Sequence, residues 1–92
     1  MIRSFGCKDT EKIYRRTGSR RFRSIENVAL RKLLLLDAAE RIDDLRVPPG
    51  NQLEKLVGDR AGQYSVRINR QWRICFRWEG SFAIDVEIVD YH

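Results

Sequence analysis

The sequence predicts a single domain of the α+β class, with two helices covering one face of a small, mostly antiparallel sheet in the order β-α-α-β-β-β. The chain has 92 residues, enough for one domain, 1–92, with one modest core. Apolar residues recur with helical spacing over residues 25–44, and they alternate with polar residues in three later segments. Helices followed by consecutive strands are typical of α+β folds.

The first part of the chain predicts a short strand and a short helix. Residues 1–5 alternate weakly between apolar and polar side chains, which indicates a strand. Residues 9–11 supply acidic and capping side chains, and Gly18 supplies a stop, so a helix is expected near residues 9–16.

A longer helix is predicted over residues 25–44, before the stop at 48–50 (Pro-Pro-Gly). Its apolar face is formed by Ile25, Val28, Ala29, Leu33, Leu35, Leu36, Ala39 and Ile42. Leu30 and Leu34 form a second, smaller stripe, which must pack on the first helix or meet a partner protein.

Three strands of an antiparallel meander are expected over residues 63–69, 72–78 and 82–89. With a three-residue loop in the last hairpin, Phe76 lies opposite Ile84 and Arg73 lies opposite Glu87. The preceding turn sets Arg67 opposite Arg73. The two arginines either splay into solvent, with Arg73 paired to Glu87, or they wait for an anion such as phosphate.

Composition excludes several classes of protein and site. No apolar run approaches the roughly 18 residues of a membrane span, and the start does not read as a signal peptide, so a soluble cytoplasmic protein without membrane contact is expected. Cys7, Cys75 and the single histidine cannot supply a four-ligand zinc site. Two reduced thiols, with no metal and no cofactor, are the expectation.

Positive charge is concentrated in one segment. The net charge is +5, and the five arginines of residues 15–23 have no acid between them: Arg15, Arg16, Arg20, Arg21 and Arg23. Such a cluster is either a solvated basic loop or a surface that binds the phosphate backbone of a nucleic acid.

The last three residues carry the groups of a possible catalytic site. Asp90, Tyr91 and His92 follow the final strand, and the predicted register brings them beside the turn at residues 70–72, close to Arg73. RNA cleavage by its own 2′-hydroxyl needs a base, an acid and cations, which these residues supply without a metal. Tyr91 alternatively stacks on a base.

Seven stretches of the chain carry a family resemblance: residues 1–5, 31–33, 36–39, 48–51, 58–62, 71–76 and 86–92. Together they closely resemble the HigB family of toxins, within the RelE-like group of toxin–antitoxin systems. The strand Gln-Trp-Arg-Ile-Cys-Phe and the trailing Asp-Tyr-His are the most specific, and the resemblance covers essentially the whole chain. It implies a RelE-like fold and metal-independent cleavage of mRNA on the translating ribosome.

The resemblance also implies site residues and partners. The catalytic positions would be Arg73, Asp90, Tyr91 and His92. The RNA contacts expected from charge and resemblance are Lys55, Arg60 and Arg67, with Arg20, Arg21 and Arg23 on ribosomal RNA. The implied partner is a HigA-type helix-turn-helix antitoxin, through which alone the toxin meets promoter DNA. Some relatives have basic or histidine side chains around residues 53–57, where this chain has Glu54 and Val57.

Two other functions remain open from the residues. A non-catalytic module would bind ribosomal RNA through the arginines and block translation without cutting. A purely protein-binding role, as the antitoxin's co-repressor, would need no catalysis at all.

Overall fold

The computed structural model describes residues 1–90, in which two helices pack on one face of a four-stranded antiparallel sheet. The helices are α1 (Lys8–Tyr14) and α2 (Glu26–Ala38). The strands are β1 (Glu54–Lys55), β2 (Tyr64–Arg67), β3 (Trp72–Glu79) and β4 (Phe82–Asp90), and they are neighbours in that order. Short 3-10 turns lie at Arg23–Ile25, Ile42–Arg46, Pro49–Asn51 and Gly58–Arg60. The predicted α+β class and its layering are confirmed.

The core lies between the helices and the sheet. Its fully buried side chains include Phe22, Ala29, Leu33, Leu36, Ile74, Phe76, Ala83 and Val86. Leu30 of the second apolar stripe packs against this core, whereas Leu34 is 41% exposed. Leu35, expected in the core, is 36% exposed, because the buried face of α2 is narrower than the sequence pattern suggested.

The amino-terminal segment and α1 together cover the outer edge of β4. In place of the expected strand, residues 1–5 form two isolated parallel bridges, Ile2 with Ala83 and Phe5 with Val86. Thr10 of α1 extends this cover, because its Oγ1 accepts the backbone N–H of Ile88 at 2.9 Å. The edge of β4 is thereby paired close to its end, where an exposed edge would invite pairing with another chain.

Replacing Thr10 by valine should destabilise the fold by about 1–3 kcal/mol, because a buried N–H loses its acceptor while the volume is kept. Thr10 is fully buried. Thermal or urea unfolding measures the loss. Thr17→Val is the matched control, since Thr17 is exposed and its Oγ1 only donates to the carbonyl of Lys12 at 3.3 Å. Equal stabilities of the two variants would contradict this role for Thr10.

Helix α2 ends at Ala38, well before the expected residue 44. Asp44 explains the early end, because its carboxylate accepts the backbone N–H of Glu40 at 2.9 Å and of Arg41 at 3.1 Å. These hydrogen bonds hold the pKa of Asp44 below its usual value, and the bond from Arg41 has the larger effect. They start a separate 3-10 turn at Ile42–Arg46 in place of a continued helix.

The register of the sheet agrees with the prediction in one hairpin and differs in the other. Arg67 lies opposite Arg73, as predicted. In the last hairpin Glu79 pairs with Phe82, so the loop has two residues, and the pairing then shifts between Cys75 and Arg77. The predicted pairs of Phe76 with Ile84 and of Arg73 with Glu87 are wrong. Arg73 instead lies opposite Val89, and Glu87 lies opposite Cys75.

A β-bulge causes this shift. Asp85 adopts a φ of +55° at the point where the pairing changes. The bulge lets Ala83 face the core on one side of it, and Val86 and Ile88 on the other. Aspartate is one of the residue types that tolerate this left-handed conformation.

Asp37 joins the amino terminus, α1 and α2. Its Oδ1 accepts the N–H of Ile2 at 2.8 Å, and its Oδ2 accepts the hydroxyl of Tyr14 at 3.1 Å. Burial and then the hydrogen bond to Asp37 raise the pKa of Tyr14. Because the folded state favours the neutral phenol, its contribution to stability is complete below the unfolded pKa of about 10 and is lost as the pH rises further.

We therefore expect the free energy of unfolding to fall above about pH 10 more steeply in the parent chain than in Tyr14→Phe. Urea unfolding across this alkaline range measures the difference between the two chains. Identical pH profiles would contradict the coupling of Tyr14 to Asp37.

Candidate functional site

The end of β4 lies beside the turn that precedes β3, where the sequence predicted Asp90 to lie. Asp90 is the cross-strand partner of Trp72, and its Oδ2 accepts a hydrogen bond from Nε2 of Gln71 at 3.2 Å. The turn is ordered by Asn69, whose Oδ1 accepts the backbone N–H of both Gln71 and Trp72 at 2.8 Å. The other two predicted tail residues, Tyr91 and His92, lie outside the described residues.

The basic loop, residues 15–23, reaches the same end of the molecule. The Arg21 guanidinium lies 4.8 Å over the Phe22 ring, and Phe22 makes an edge contact with Trp72 at 5.3 Å between ring centroids. Since Trp72 pairs with Asp90, two side-chain contacts and one strand pairing connect Arg21 to the end of β4. Sequence reasoning missed this proximity, although the lone aromatic residue among the arginines was a signal for it.

A solvent-facing cavity of about 260 Å³ lies at the basic loop. It is lined by Thr17, Gly18, Ser19, Arg20, Arg23 and Glu26. Ser19 holds the turn together: its backbone N–H donates to Oε1 of Glu26 at 3.0 Å, and its Oγ donates to Oδ1 of Asp9 at 3.1 Å. Gly18, with a φ of +82°, provides the left-handed residue that this turn requires.

Arg73 lies on the face of the sheet that points away from the helices, and it is only 6% exposed. Its Nε donates to Oγ of Ser65 at 2.7 Å, and its Nη2 donates to the carbonyl oxygens of Gln52 and Ser65. These bonds fix the guanidinium between β2 and the segment before β1. Arg67, its cross-strand neighbour, is half-buried on the same face.

Arg60 reaches the same face from the loop between β1 and β2. Its Nη1 lies 2.9 Å from Oε1 of Glu87 and 3.1 Å from Oε1 of Gln63. Glu87 thus pairs with Arg60, not with Arg73. Beneath them, burial raises the pKa of the Cys75 thiol, which accordingly stays protonated near neutral pH. Lys55 is exposed on β1, at the opposite edge of the sheet from β4.

The end of β4 therefore lies between two groups of arginines. On the helix side, Trp72 is the cross-strand partner of Asp90, and its ring contacts Phe22 of the basic loop. On the other side, Val89, the residue before Asp90, is the cross-strand partner of Arg73, and Arg73 lies opposite Arg67. A carboxylate at the end of a strand, with arginines on the neighbouring elements, has the types of group that proton transfer on a phosphate-bearing polymer needs.

Two kinds of site are not found in residues 1–90. No group of three or more His, Cys, Asp or Glu side chains in this part of the chain is arranged to hold a metal ion. Neither helix within the same range is long and apolar enough to cross a membrane.

Two curated proteins resemble the chain in sequence. It is 48% identical over 62 residues to Toxin HigB-1 of Vibrio cholerae serotype O1, covering 67% of this chain and 65% of that protein. An uncharacterized protein of Haemophilus influenzae is 40% identical over 58 residues, covering 63% of this chain and 57% of that protein. The chain thus spans 65% of the length of the first relative and 57% of the length of the second.

Solved structures resemble the fold. Two structures of the YoeB–YefM toxin–antitoxin complex from Staphylococcus aureus match with a TM-score of 0.62 and 20% identity, over 100% of this chain and 98% of theirs. This likeness confirms the predicted RelE-like fold. The family model that matches residues 3–92 is described as the RelE-like toxin of the type II toxin–antitoxin system HigB. The chain therefore belongs to the HigB-like toxin family.

Proposed function

We propose that this chain acts in the cytoplasm as the toxin of a type II toxin–antitoxin pair, and that it is a ribosome-dependent endoribonuclease that cleaves mRNA. The observation that carries the proposal is the position of Asp90 at the end of β4, held by Gln71 and next to Val89, the cross-strand partner of Arg73. Membership in the HigB-like family supports the same function.

The proposed reaction uses the nucleophile that RNA already carries. The 2′-oxygen forms a bond to phosphorus while the bond from phosphorus to the 5′-oxygen breaks. Asp90 or His92 takes the proton of the 2′-hydroxyl, and the other residue assists protonation of the leaving 5′-oxygen. The products are a 2′,3′-cyclic phosphate and a 5′-hydroxyl. Since side chains carry both proton transfers, the scheme needs neither metal nor cofactor.

The other residues bind and orient the RNA. Arg73 stabilises the negative charge on the phosphorane, and its bonds to Ser65 and Gln52 hold the guanidinium in a fixed position beforehand. Tyr91 orients the RNA by stacking or hydrogen bonding. The RNA backbone is held by Lys55, Arg60, Arg67, Arg20, Arg21 and Arg23. Arg60 is the weakest of these contacts, because Glu87 already neutralises much of its charge.

The proposed partner is a HigA-type helix-turn-helix antitoxin. It would neutralise the toxin and connect it to promoter DNA, which the toxin does not bind by itself. Family membership supports this partner, and the type II systems to which the family is assigned pair a toxin with an antitoxin protein.

A second function is a translation inhibitor that binds the ribosome without cutting. The burial of Arg73 favours it, since hydrogen bonds to Ser65 and Gln52 also suit a purely structural arginine. In that case the basic loop alone would hold ribosomal RNA.

Mapping of mRNA 5′ ends in cells that express the chain without antitoxin separates the two functions. Cleavage predicts new 5′ ends within the codons of translated messages, and none in a matched message whose start codon is removed. Reduced protein synthesis without new 5′ ends would contradict cleavage and support the second function.

A further inference from the structure

We propose that the cavity at the basic loop binds one phosphodiester group of single-stranded RNA, as a second contact beside the cleavage residues. The inference rests on the proposed function only in taking RNA as the partner. It concerns binding, so it can hold whether or not the chain cuts.

The lining of the cavity supplies the donors that a phosphate group needs. Arg20 and Arg23 both line it, and a guanidinium can hold phosphate oxygens with two parallel hydrogen bonds. Both arginines are exposed, so their guanidinium groups are accessible to a ligand.

The size of the cavity also suits such a ligand. Its volume of about 260 Å³ is several times the ~30 Å³ that a water molecule occupies in the liquid. A phosphate group with some of its hydration therefore fits. Sites for larger organic ligands generally begin at about 300 Å³.

The charges around the cavity remain positive after internal pairing. Arg15 forms an ion pair with Glu11 at 2.8 Å, so these two charges offset each other. Glu26 lines the cavity, but its Oε1 is held by the backbone N–H of Ser19. The carboxylate is thus fixed as part of the turn, and its charge lowers the affinity for an anion without closing the site.

The position of the cavity connects it to the cleavage residues. Phe22 lies between Arg21 and Arg23 in the chain, and its ring contacts Trp72, the partner of Asp90. Through this contact the basic loop and the end of β4 are neighbours, and we expect an RNA strand bound at Asp90 to place another of its phosphates at the basic loop. This contact would lower KM and leave the chemical step unchanged.

The test measures binding with RNA that cannot be cut. The two ligands are a single-stranded oligonucleotide with 2′-O-methyl groups and ribosomes free of mRNA. The double variant Arg20→Gln/Arg23→Gln should bind roughly tenfold more weakly or worse. The slope of log binding constant against log salt concentration should become shallower by about 0.7 for each lost phosphate contact. Arg15→Gln is the matched control, and we expect it to bind like the parent, because Arg15 is already paired.

Two further measurements test phosphate binding at the cavity without the double variant. Glu26→Gln, which keeps an oxygen for Ser19, should bind RNA more tightly, because a repelling charge is removed. Inorganic phosphate added to the parent chain should shift the backbone NMR signals of residues 17–26, which requires no variant to fold.

The outcomes show whether ribosomal RNA or the message supplies the phosphate, and whether the cavity binds it. Weaker binding of the double variant to empty ribosomes identifies ribosomal RNA as the source, and weaker binding to the oligonucleotide alone identifies the message. Equal losses in the double variant and in Arg15→Gln would overturn the cavity as the site, leaving only a diffuse basic surface. Weaker binding by Glu26→Gln would overturn phosphate as the ligand.

Discussion

Replacement of Asp90 by asparagine, or of His92 by alanine, is expected to lower the rate of mRNA cleavage by about 100-fold or more. Positioned general acids and bases contribute factors of this order, and the proposed scheme has only these two groups for its proton transfers. Asparagine keeps the shape of Asp90 and its hydrogen-bonding capacity toward Gln71, so the fold should be unaffected. Single-turnover cleavage on programmed ribosomes measures the effect, and the maximal rate of cleavage should fall more than the half-saturating concentration changes.

Asp85→Asn is the matched control for this prediction. Asp85 is an exposed carboxylate on the same strand, 3.9 Å from Arg77, and asparagine tolerates its positive φ. This variant should cleave like the parent. If Asp90→Asn and His92→Ala fold normally and also cleave like the parent, the assignment of proton transfer to the tail is wrong.

Replacement of Phe22 by alanine is expected to destabilise the fold by about 3–5 kcal/mol, the usual cost of removing a buried aromatic ring. Phe22 is fully buried and contacts Trp72 edge to face. Because domains of this size are stable by only about 5–15 kcal/mol, we expect the variant to lose a large share of its stability. Urea unfolding measures the change, and a loss below about 1 kcal/mol would contradict a central role for this ring.

Phe22→Leu separates stability from RNA binding, because it keeps most of the apolar volume and loses the ring under Arg21. We expect a folded protein with weaker RNA binding. Phe82→Leu is its matched control: Phe82 carries Arg3 at 4.0 Å in the same kind of contact, away from the basic loop. Equal RNA binding by both leucine variants would contradict the coupling of Phe22 to the basic loop.

The parts of the fold that the sequence predicts are those set by local periodicity. The helical spacing of α2 and the alternation in β2, β3 and β4 are visible in the sequence, and the short turn after Arg67 fixes its pairing with Arg73. The end of α2 is not visible, because it depends on the carboxylate of Asp44 bonding to backbone groups three and four residues earlier.

The register of β4 could not be predicted, because a bulge changes which residues face the core without breaking the alternating pattern on either side. Because of the bulge at Asp85, Glu87 lies opposite Cys75 and not opposite Arg73. In this position Glu87 forms an ion pair with Arg60. The burial of Arg73 depends on the segment before β1, where the carbonyl oxygen of Gln52 accepts a hydrogen bond from its guanidinium. No pattern in the strand sequence indicates this contact.

The geometry of the candidate site was only partly predictable. The position of Asp90 beside Gln71 follows from the strand order. The proximity of the basic loop to that end of β4 depends on the packing of Phe22 on Trp72, a contact between residues far apart in the sequence. Such contacts decide which charges share a surface, and composition alone cannot reveal them.

The most direct test of the central claim is the chemistry of the RNA ends. Purified chain is added to ribosomes programmed with a defined message, and to the same message carrying a 2′-deoxynucleotide before the scissile bond. Attack by the 2′-hydroxyl predicts fragments with a 2′,3′-cyclic phosphate and a 5′-hydroxyl, and no cleavage at the deoxy position. Fragments with 5′-phosphate ends, or inhibited translation with an intact message, would contradict it.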